Sequence, residues 1–150
     1  MSTARLMNII DTVLDDAKSA VLATIDEEGL PRLRWITPTT FPDRPGMLYM
    51  ITGHHFDKIG HVRGNPNGSM LLQTRSLATV LSLRGTLSVL ENPAIRSETL
   101  ERIAGRLNAF WKIEAPEREL VVLEFTITRA TLYLPQKGSR ESVALDGGAR

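Results

Sequence analysis

The sequence predicts a mainly β protein, a closed, mostly antiparallel barrel of six strands on which two or three helices pack. Three observations support this fold class. Six segments carry apolar residues at strand spacing. Turn residues, chiefly glycine, proline, aspartate and asparagine, separate most of these segments. Apolar residues recur at helical spacing in only two longer segments, one at the N-terminus and one after the fifth strand.

The N-terminal segment predicts a helix and then a β-hairpin. Ser2 or Thr3 can cap the helix, because their side-chain oxygens accept hydrogen bonds from free backbone N–H groups. The apolar residues of the helix are Leu6, Ile9, Ile10, Val13, Leu14 and Ala17. Strands are predicted at residues 20–26 and 31–41, and Gly29 in the turn between them can adopt a positive φ.

The middle of the chain predicts three more strands and a short helix. The third strand spans residues 47–52. A polar loop leads to a helical stretch over residues 58–64, which Asn65-Pro66 must end because proline lacks a backbone donor. The fourth and fifth strands are predicted at residues 69–74 and 79–90.

The fifth and sixth strands each carry an irregularity. Gly85 falls on the apolar face of the fifth, where a missing side chain indicates a bend or a close neighbour. The sixth strand, residues 121–134, changes apolar parity after Arg129, which predicts a β-bulge or bend there because strand side chains alternate between faces. A helix that begins at Asn92-Pro93 separates the two strands. Its apolar residues are Leu100, Ile103, Ala104, Leu107, Phe110 and Trp111.

Length and composition predict one domain and limit its partners. We expect a single domain over residues 1–135 and a polar, flexible tail over residues 136–150. The 18 Lys and Arg nearly cancel the 17 Asp and Glu, which argues against a nucleic-acid partner. No apolar run is long enough for a membrane-spanning helix, and the N-terminus has no signal-peptide pattern. We therefore expect a cytoplasmic protein with no membrane partner.

Few residues can carry nucleophilic catalysis or hold a metal. The chain has no cysteine, which excludes disulfides, thiolate metal sites and cysteine nucleophiles. No Gly-x-Ser-x-Gly motif occurs, and no catalytic residue can be assigned. The three histidines are His54, His55 and His61, and no carboxylate stands at ligand spacing from the adjacent pair. We interpret the adjacent His54 and His55 as exposed loop histidines and expect no metal site.

One set of residues has the chemistry of an anion site. Arg34 lies on the second strand, Thr52 ends the third, and Lys58 opens the short helix, whose free N–H groups favour an anion. A phosphate group is held by a forked Arg, a Lys charge, hydroxyls and backbone donors, all of which this set can supply. Spacing alone favours the plainer interpretation of two solvated cations and a strand-end threonine.

The order of the motifs resembles the pyridoxamine 5'-phosphate oxidase-like family. The motifs are Gly-x-Pro-x-x-Arg-x-Ile ending at Ile36, Met-Leu-Tyr-Met-Ile-Thr ending at Thr52, Thr-x5-Lys ending at Lys58, and Lys-x7-Pro. Ser69 and Gly85 also stand where that family has them. The chain is most similar to the short, general-stress-protein-like flavin binders of the family.

The resemblance implies a split-barrel fold and a homodimer with FMN at the subunit interface. It implies that Arg34 and Lys58 hold the FMN phosphate, and that Ile51 and Thr52 add backbone and hydroxyl contacts. The ribityl chain and ring would be lined by Trp35, Ile36, Thr37 and Thr39. Trp111 is either a contact from the other subunit or a core aromatic residue at the end of its helix.

Departures from the family pattern change the predicted activity. Asp57 places an acid beside Lys58, and Val80 stands where the true oxidases have a flavin-contacting Gln. The Arg- and His-bearing substrate motif of those oxidases is replaced by Gly138-Ser139-Arg140-Glu141-Ser142. The resemblance therefore implies an FMN-dependent oxidoreductase of unassigned substrate rather than a true pyridoxamine-phosphate oxidase.

Two alternatives remain open at this point. One is a deazaflavin-dependent reductase, because the same barrel and cationic strand can hold that cofactor's phosphate. The other is a module without turnover that binds flavin or haem, and haem would need His54, His55 or His61 as an axial ligand.

Overall fold

A computed structural model of the chain describes residues 1–53, 57–107 and 120–145. Within these ranges there are three α-helices: α1 at Thr3–Ala17, α2 at Asp57–Gly64 and α3 at Pro93–Leu107. The seven strands are β1 at Ala20–Ile25, β2 at Pro31–Ile36, β3 at Met47–Gly53, β4 at Asn67–Gln73, β5 at Val80–Leu90, β6 at Leu120–Leu134 and β7 at Ser139–Ala144.

All seven strands belong to one antiparallel sheet. Its order is β2-β1-β4-β5-β6-β3, and β7 pairs with the second half of β6. The two ends of this order, β2 and β3, share no ladder in the described part of the chain, so the sheet is not closed. A backbone bridge between Thr39 and Tyr49, with both N–H···O distances at 2.8 Å, ties the segment after β2 back to β3. The fold is mainly β and split-barrel-like, which confirms the predicted fold class. The expected closure and the count of six strands are wrong, because within the described ranges β2 and β3 do not pair and β7 is a seventh strand.

The bulge predicted near Arg129 is confirmed. On β6, Arg129 pairs with Arg84 but Ile127 pairs with Gly85, so Thr128 is one extra residue on its strand. The shift lets one strand bury apolar residues of both parities: Ile127 is fully buried and Leu132 is 3% exposed. The apolar core therefore extends along β6 on both sides of the bulge.

Helix α1 covers one side of the core. Ser2 caps it, as predicted, since its Oγ accepts a hydrogen bond from the backbone N–H of Arg5 at 3.1 Å. The helix buries residues at helical spacing against the sheet: Leu6, Met7, Ile10, Val13 and Leu14. Ile9 is only partly buried at the edge of this cluster.

Two predicted boundaries are wrong for physical reasons. The second strand ends at Ile36 rather than Phe41, because Pro38 lacks a ladder donor and restricts the residue before it. The segment expected to be a flexible tail contains β7, which pairs with residues 129–134 of β6. Its side chains are mostly exposed and polar, so the sequence shows no apolar alternation there. The strand is held by backbone hydrogen bonds to β6.

Gly85 offers a test of the packing across β5 and β6. A Cβ at this position would meet the Thr126 carbonyl oxygen and the ring of Phe125, whose Cζ would lie 2.8 Å away. Gly85→Ala is therefore expected to lower the free energy of unfolding by about 1–3 kcal/mol in urea denaturation. The control is Gly105→Ala in α3, where a Cβ meets nothing within 4 Å and the helix gains up to about 1 kcal/mol. Equal stabilities of the two variants would contradict this packing.

Candidate functional site

Folding brings the two predicted cations together. Burial and the neighbouring positive charge of Arg34 lower the pKa of Lys58 from 10.5 to about 8. Arg34 comes from β2, and Lys58 is the second residue of α2. Because each charge disfavours the other, the pair forms a partly desolvated centre of positive potential. The interpretation of two independently solvated cations does not fit this arrangement.

Arg34 lies on the inner face of its strand. Its Nη2 donates a hydrogen bond to the Thr24 Oγ1 at 2.8 Å, and Thr24 is fully buried on β1. Arg32, two residues earlier, is largely exposed and contacts the Asp26 Oδ2 at 3.5 Å. The two arginines therefore have different surroundings despite their common strand parity.

His61 belongs to the same neighbourhood, in the helix that the sequence predicts, and it is buried. It lies in α2, one turn after Lys58, with 8% of its surface exposed. Its Nδ1 lies 3.3 Å from the Thr24 Oγ1, and its Nε2 lies 3.7 Å from the Glu27 Oε2. The spacing of three residues from Lys58 could have placed His61 on the same side of the helix. Its contacts with Thr24 and Glu27 could not be predicted, because both residues are distant in the sequence. His54 and His55 lie outside the described residues.

Buried hydroxyls occur where β2 and β3 leave the sheet open. Thr52 on β3 is 4% exposed, and Thr39 is fully buried next to the same strand. Neither Oγ1 has a hydrogen-bond partner in the described part of the chain. A buried hydroxyl without a partner is costly, so both oxygens carry unsatisfied hydrogen-bonding capacity. Ile36 and Thr37 are also buried, and Ile51 is partly buried.

Trp35 points to the opposite side of the sheet from Arg34. It is 62% exposed and stands in one cross-strand row with Val21 and Leu71, while Leu33 is 72% exposed beside it. We call these four residues the outer apolar face. Within one chain, the structure thus separates Trp35 from the cationic pair, as strand alternation predicts. Trp111 lies outside the described residues.

Two further properties of the described residues bear on the site. They contain no group of three or more His, Asp or Glu side chains that could hold a metal ion. None of the described helices is long and apolar enough to cross a membrane.

Comparison with protein families matches residues 7–133 to the family described as Pyridoxamine 5'-phosphate oxidase. The chain belongs to this family. The match spans α1 through nearly all of β6, and therefore both strands and the helix that supply Arg34, Thr52 and Lys58. A search of curated proteins found no match.

Several solved structures share the fold at low identity. General stress protein 26 from Bacillus anthracis is 21% identical with a TM-score of 0.69, over 94% of this chain and 99% of that one. A pyridoxamine 5'-phosphate oxidase-related, FMN-binding protein from Nostoc punctiforme is 16% identical with a TM-score of 0.71, over 97% and 100%. A structure titled F420 reductase is 16% identical with a TM-score of 0.67, over 80% and 94%.

The depressed pKa of Lys58 predicts a pH effect on stability in phosphate-free buffer. Between pH 8 and 10.5 the unfolded chain binds more protons at Lys58 than the folded protein, so this residue makes stability rise with pH there. Lys58→Met removes the buried charge and is expected to stabilise the protein at pH 7 by ~1–2 kcal/mol. The difference in unfolding free energy between Lys58→Met and wild type should shrink towards zero as the pH rises from 8 to 10.5.

Urea denaturation of both proteins at a series of pH values measures this difference. Lys137→Met is the matched control because Lys137 is exposed, and it should change stability by less than about 0.5 kcal/mol. A Lys58→Met advantage that does not vary with pH would show that apolar packing, rather than charge, is responsible.

Proposed function

We propose that the chain binds FMN through Arg34 and Lys58 and acts as an FMN-dependent oxidoreductase of unassigned substrate. The observation that carries the proposal is the partly desolvated pair of like charges, reflected in the lowered pKa of Lys58. A phosphate monoester with between one and two negative charges would offset the repulsion between the two side chains. A forked guanidinium and an ammonium are the usual protein partners of such a group.

The surrounding residues also fit a flavin. The unpartnered hydroxyls of Thr39 and Thr52 can bond to a polyol or ring oxygen, and backbone at Thr37 and Ile51 adds further polar groups. Ile36 supplies a buried apolar wall. Bound flavin would supply two-electron redox chemistry, whereas the protein supplies orientation, electrostatics and exclusion of water. The FMN-binding relative from Nostoc punctiforme supports this choice of cofactor.

The substrate is proposed to differ from pyridoxamine phosphate. Val80, Tyr133 and Arg140 form one cross-strand row over β5, β6 and β7. Val80 cannot make the side-chain hydrogen bond of a glutamine, and the Arg140 guanidinium lies over the Tyr133 ring at 5.4 Å from its centroid. In this chain, the segment that replaces the oxidases' substrate motif forms an edge strand, and its Arg140 packs on Tyr133.

A deazaflavin is the second candidate cofactor, favoured by the structural similarity to the F420 reductase. The same cationic pair can hold either cofactor's phosphate. Haem through His61 is disfavoured, because both ring nitrogens face protein partners, Thr24 and Glu27. The absorption spectrum of the purified protein and the mass of its released ligand discriminate among these cofactors.

We also propose that the protein is a cytoplasmic homodimer whose cofactor site lies at the subunit interface. The outer apolar face supports this, because Trp35, Val21 and Leu71 stand in one row and Leu33 adjoins them. Large apolar side chains grouped on one surface are typical of protein interfaces. The absence of cysteine fits a reducing compartment.

Arg34→Ala tests the proposed phosphate contact. Hydrogen bonds to charged groups contribute on the order of 1.5–3 kcal/mol, so the variant should bind FMN roughly tenfold or more weakly. It should also lose most of the preference for FMN over riboflavin, which lacks the phosphate. Arg34→Lys should recover only part of the affinity because the planar fork is lost. Calorimetric titration with both ligands measures these values.

Arg32→Ala is the matched control for this titration. Arg32 shares the strand parity of Arg34 but is exposed and paired with Asp26, so the variant should keep the wild-type preference for FMN. Loss of that preference in Arg32→Ala, with Arg34→Ala unaffected, would place the phosphate contact two residues earlier.

The homodimer is tested by sedimentation. Wild type is expected to sediment with the mass of two chains at micromolar concentration, and Trp35→Glu to shift it towards one chain because a charge would be buried in the interface. Leu77→Glu is the control, since Leu77 is an exposed apolar residue in the β4–β5 turn that is not part of the outer apolar face. A monomeric wild type would refute the dimer and the shared cofactor site together.

A further inference from the structure

A chain of polar contacts lies behind Arg34. It runs from the Arg34 Nη2 to the Thr24 Oγ1 at 2.8 Å, from there to the His61 Nδ1 at 3.3 Å, and from the His61 Nε2 to the Glu27 Oε2 at 3.7 Å. Thr24 is fully buried and His61 is 8% exposed. Burial makes the contacts of the Thr24 hydroxyl with Arg34 and His61 costly to lose, whereas Glu27 is largely exposed.

The donor and acceptor roles along this chain follow from the chemistry of the groups. A guanidinium only donates, so the Thr24 oxygen accepts from Arg34. In the described part of the chain, the His61 Nδ1 is then the side-chain acceptor within reach of the Thr24 hydroxyl hydrogen. An Nδ1 that accepts carries no proton, which places the proton of a neutral imidazole on Nε2, towards the Glu27 carboxylate.

This arrangement aims a lone pair of the Thr24 oxygen at Arg34. Without an acceptor on His61, the hydroxyl would be free to rotate, and the guanidinium would lose a fixed partner. Arg34 also faces the charge of Lys58, which tends to drive the two side chains apart. The Thr24 contact therefore opposes both that repulsion and the rotamer freedom of a long side chain.

We propose that His61 is a positioning residue for the anion site. Through the Thr24 hydroxyl it holds the Arg34 guanidinium where a phosphate monoester is bound, and so determines the preference for phosphorylated over unphosphorylated ligand. The inference rests on the proposed function, because the phosphate of FMN is the group that Arg34 would contact. His61 itself touches no ligand in this role.

Two pairs of variants test the role of His61. His61→Asn keeps an oxygen acceptor near the position of Nδ1, whereas His61→Leu removes the acceptor. Thr24→Ser keeps the hydroxyl, whereas Thr24→Val removes it. The dissociation constants for FMN and riboflavin are measured by calorimetry for each protein. His61→Leu and Thr24→Val are expected to lose roughly five- to tenfold of the preference for FMN, with riboflavin affinity little changed. His61→Asn and Thr24→Ser should retain most of it.

A structural control separates positioning from a general loss of packing. Val62 is 4% exposed in the same helix, and Val62→Ala should lower stability without changing the ratio of the two affinities. If His61→Leu weakens both ligands equally, its role is structural and the inference is overturned. The inference is likewise overturned if His61→Leu keeps the full preference while Arg34→Ala loses it, in which case the proposed function stands. Failure of wild type to prefer FMN over riboflavin overturns both.

A second measurement does not depend on the variants folding or on flavin. Nitrogen NMR of the imidazole in wild type, in phosphate-free buffer at a pH where His61 is neutral, reports which ring nitrogen carries the proton. We expect the proton on Nε2. A proton on Nδ1 would make the histidine the donor to Thr24 and would overturn the proposed orientation of the hydroxyl.

Discussion

The repulsion between Arg34 and Lys58 is the constraint on which the candidate site depends. Two positive side chains from β2 and α2 share a partly buried region, and burial, together with the Arg34 charge, lowers the pKa of Lys58 to about 8. A folded chain holds such a pair only if the elements that carry the two residues are fixed by other contacts. Here β1 lies beside β2 and supplies the Thr24 hydroxyl to Arg34, while α2 buries Ile59 and Val62 in the core.

The sheet that holds these elements is organised by β6. This strand pairs with β5 along one edge, and with β3 and then β7 along the other. Its bulge at Thr128 lets the inner face remain apolar on both sides of the shift, and Gly85 opposite admits the Phe125 ring. Because β3 is held by β6 rather than by β2, the sheet stays open between β2 and β3, where the buried Thr52 hydroxyl lies.

The two faces of the six-residue strand β2 are chemically different. Arg34 and Ile36 face inward, whereas Leu33 and Trp35 face outward beside Val21. The proposed phosphate contact and the proposed subunit contact thus share one short strand. Because both depend on the same register, a slip of one residue would exchange them and destroy both. The antiparallel pairing with β1, and the turn whose Asp26 carboxylate accepts from the backbone N–H groups of Glu28 and Leu30, set that register.

The helices and strands with strong periodicity, and the bulge near Arg129, could be predicted from the sequence because alternation and its interruption are local properties. It also identified Arg34 and Lys58 as candidate partners, through motif order and family resemblance. Only the tertiary structure revealed β7, since an edge strand with exposed polar side chains is stabilised by backbone bonds to residues 129–134. The burial and contacts of His61 were likewise visible only in the folded chain, because Thr24 and Glu27 lie more than thirty residues away in the sequence.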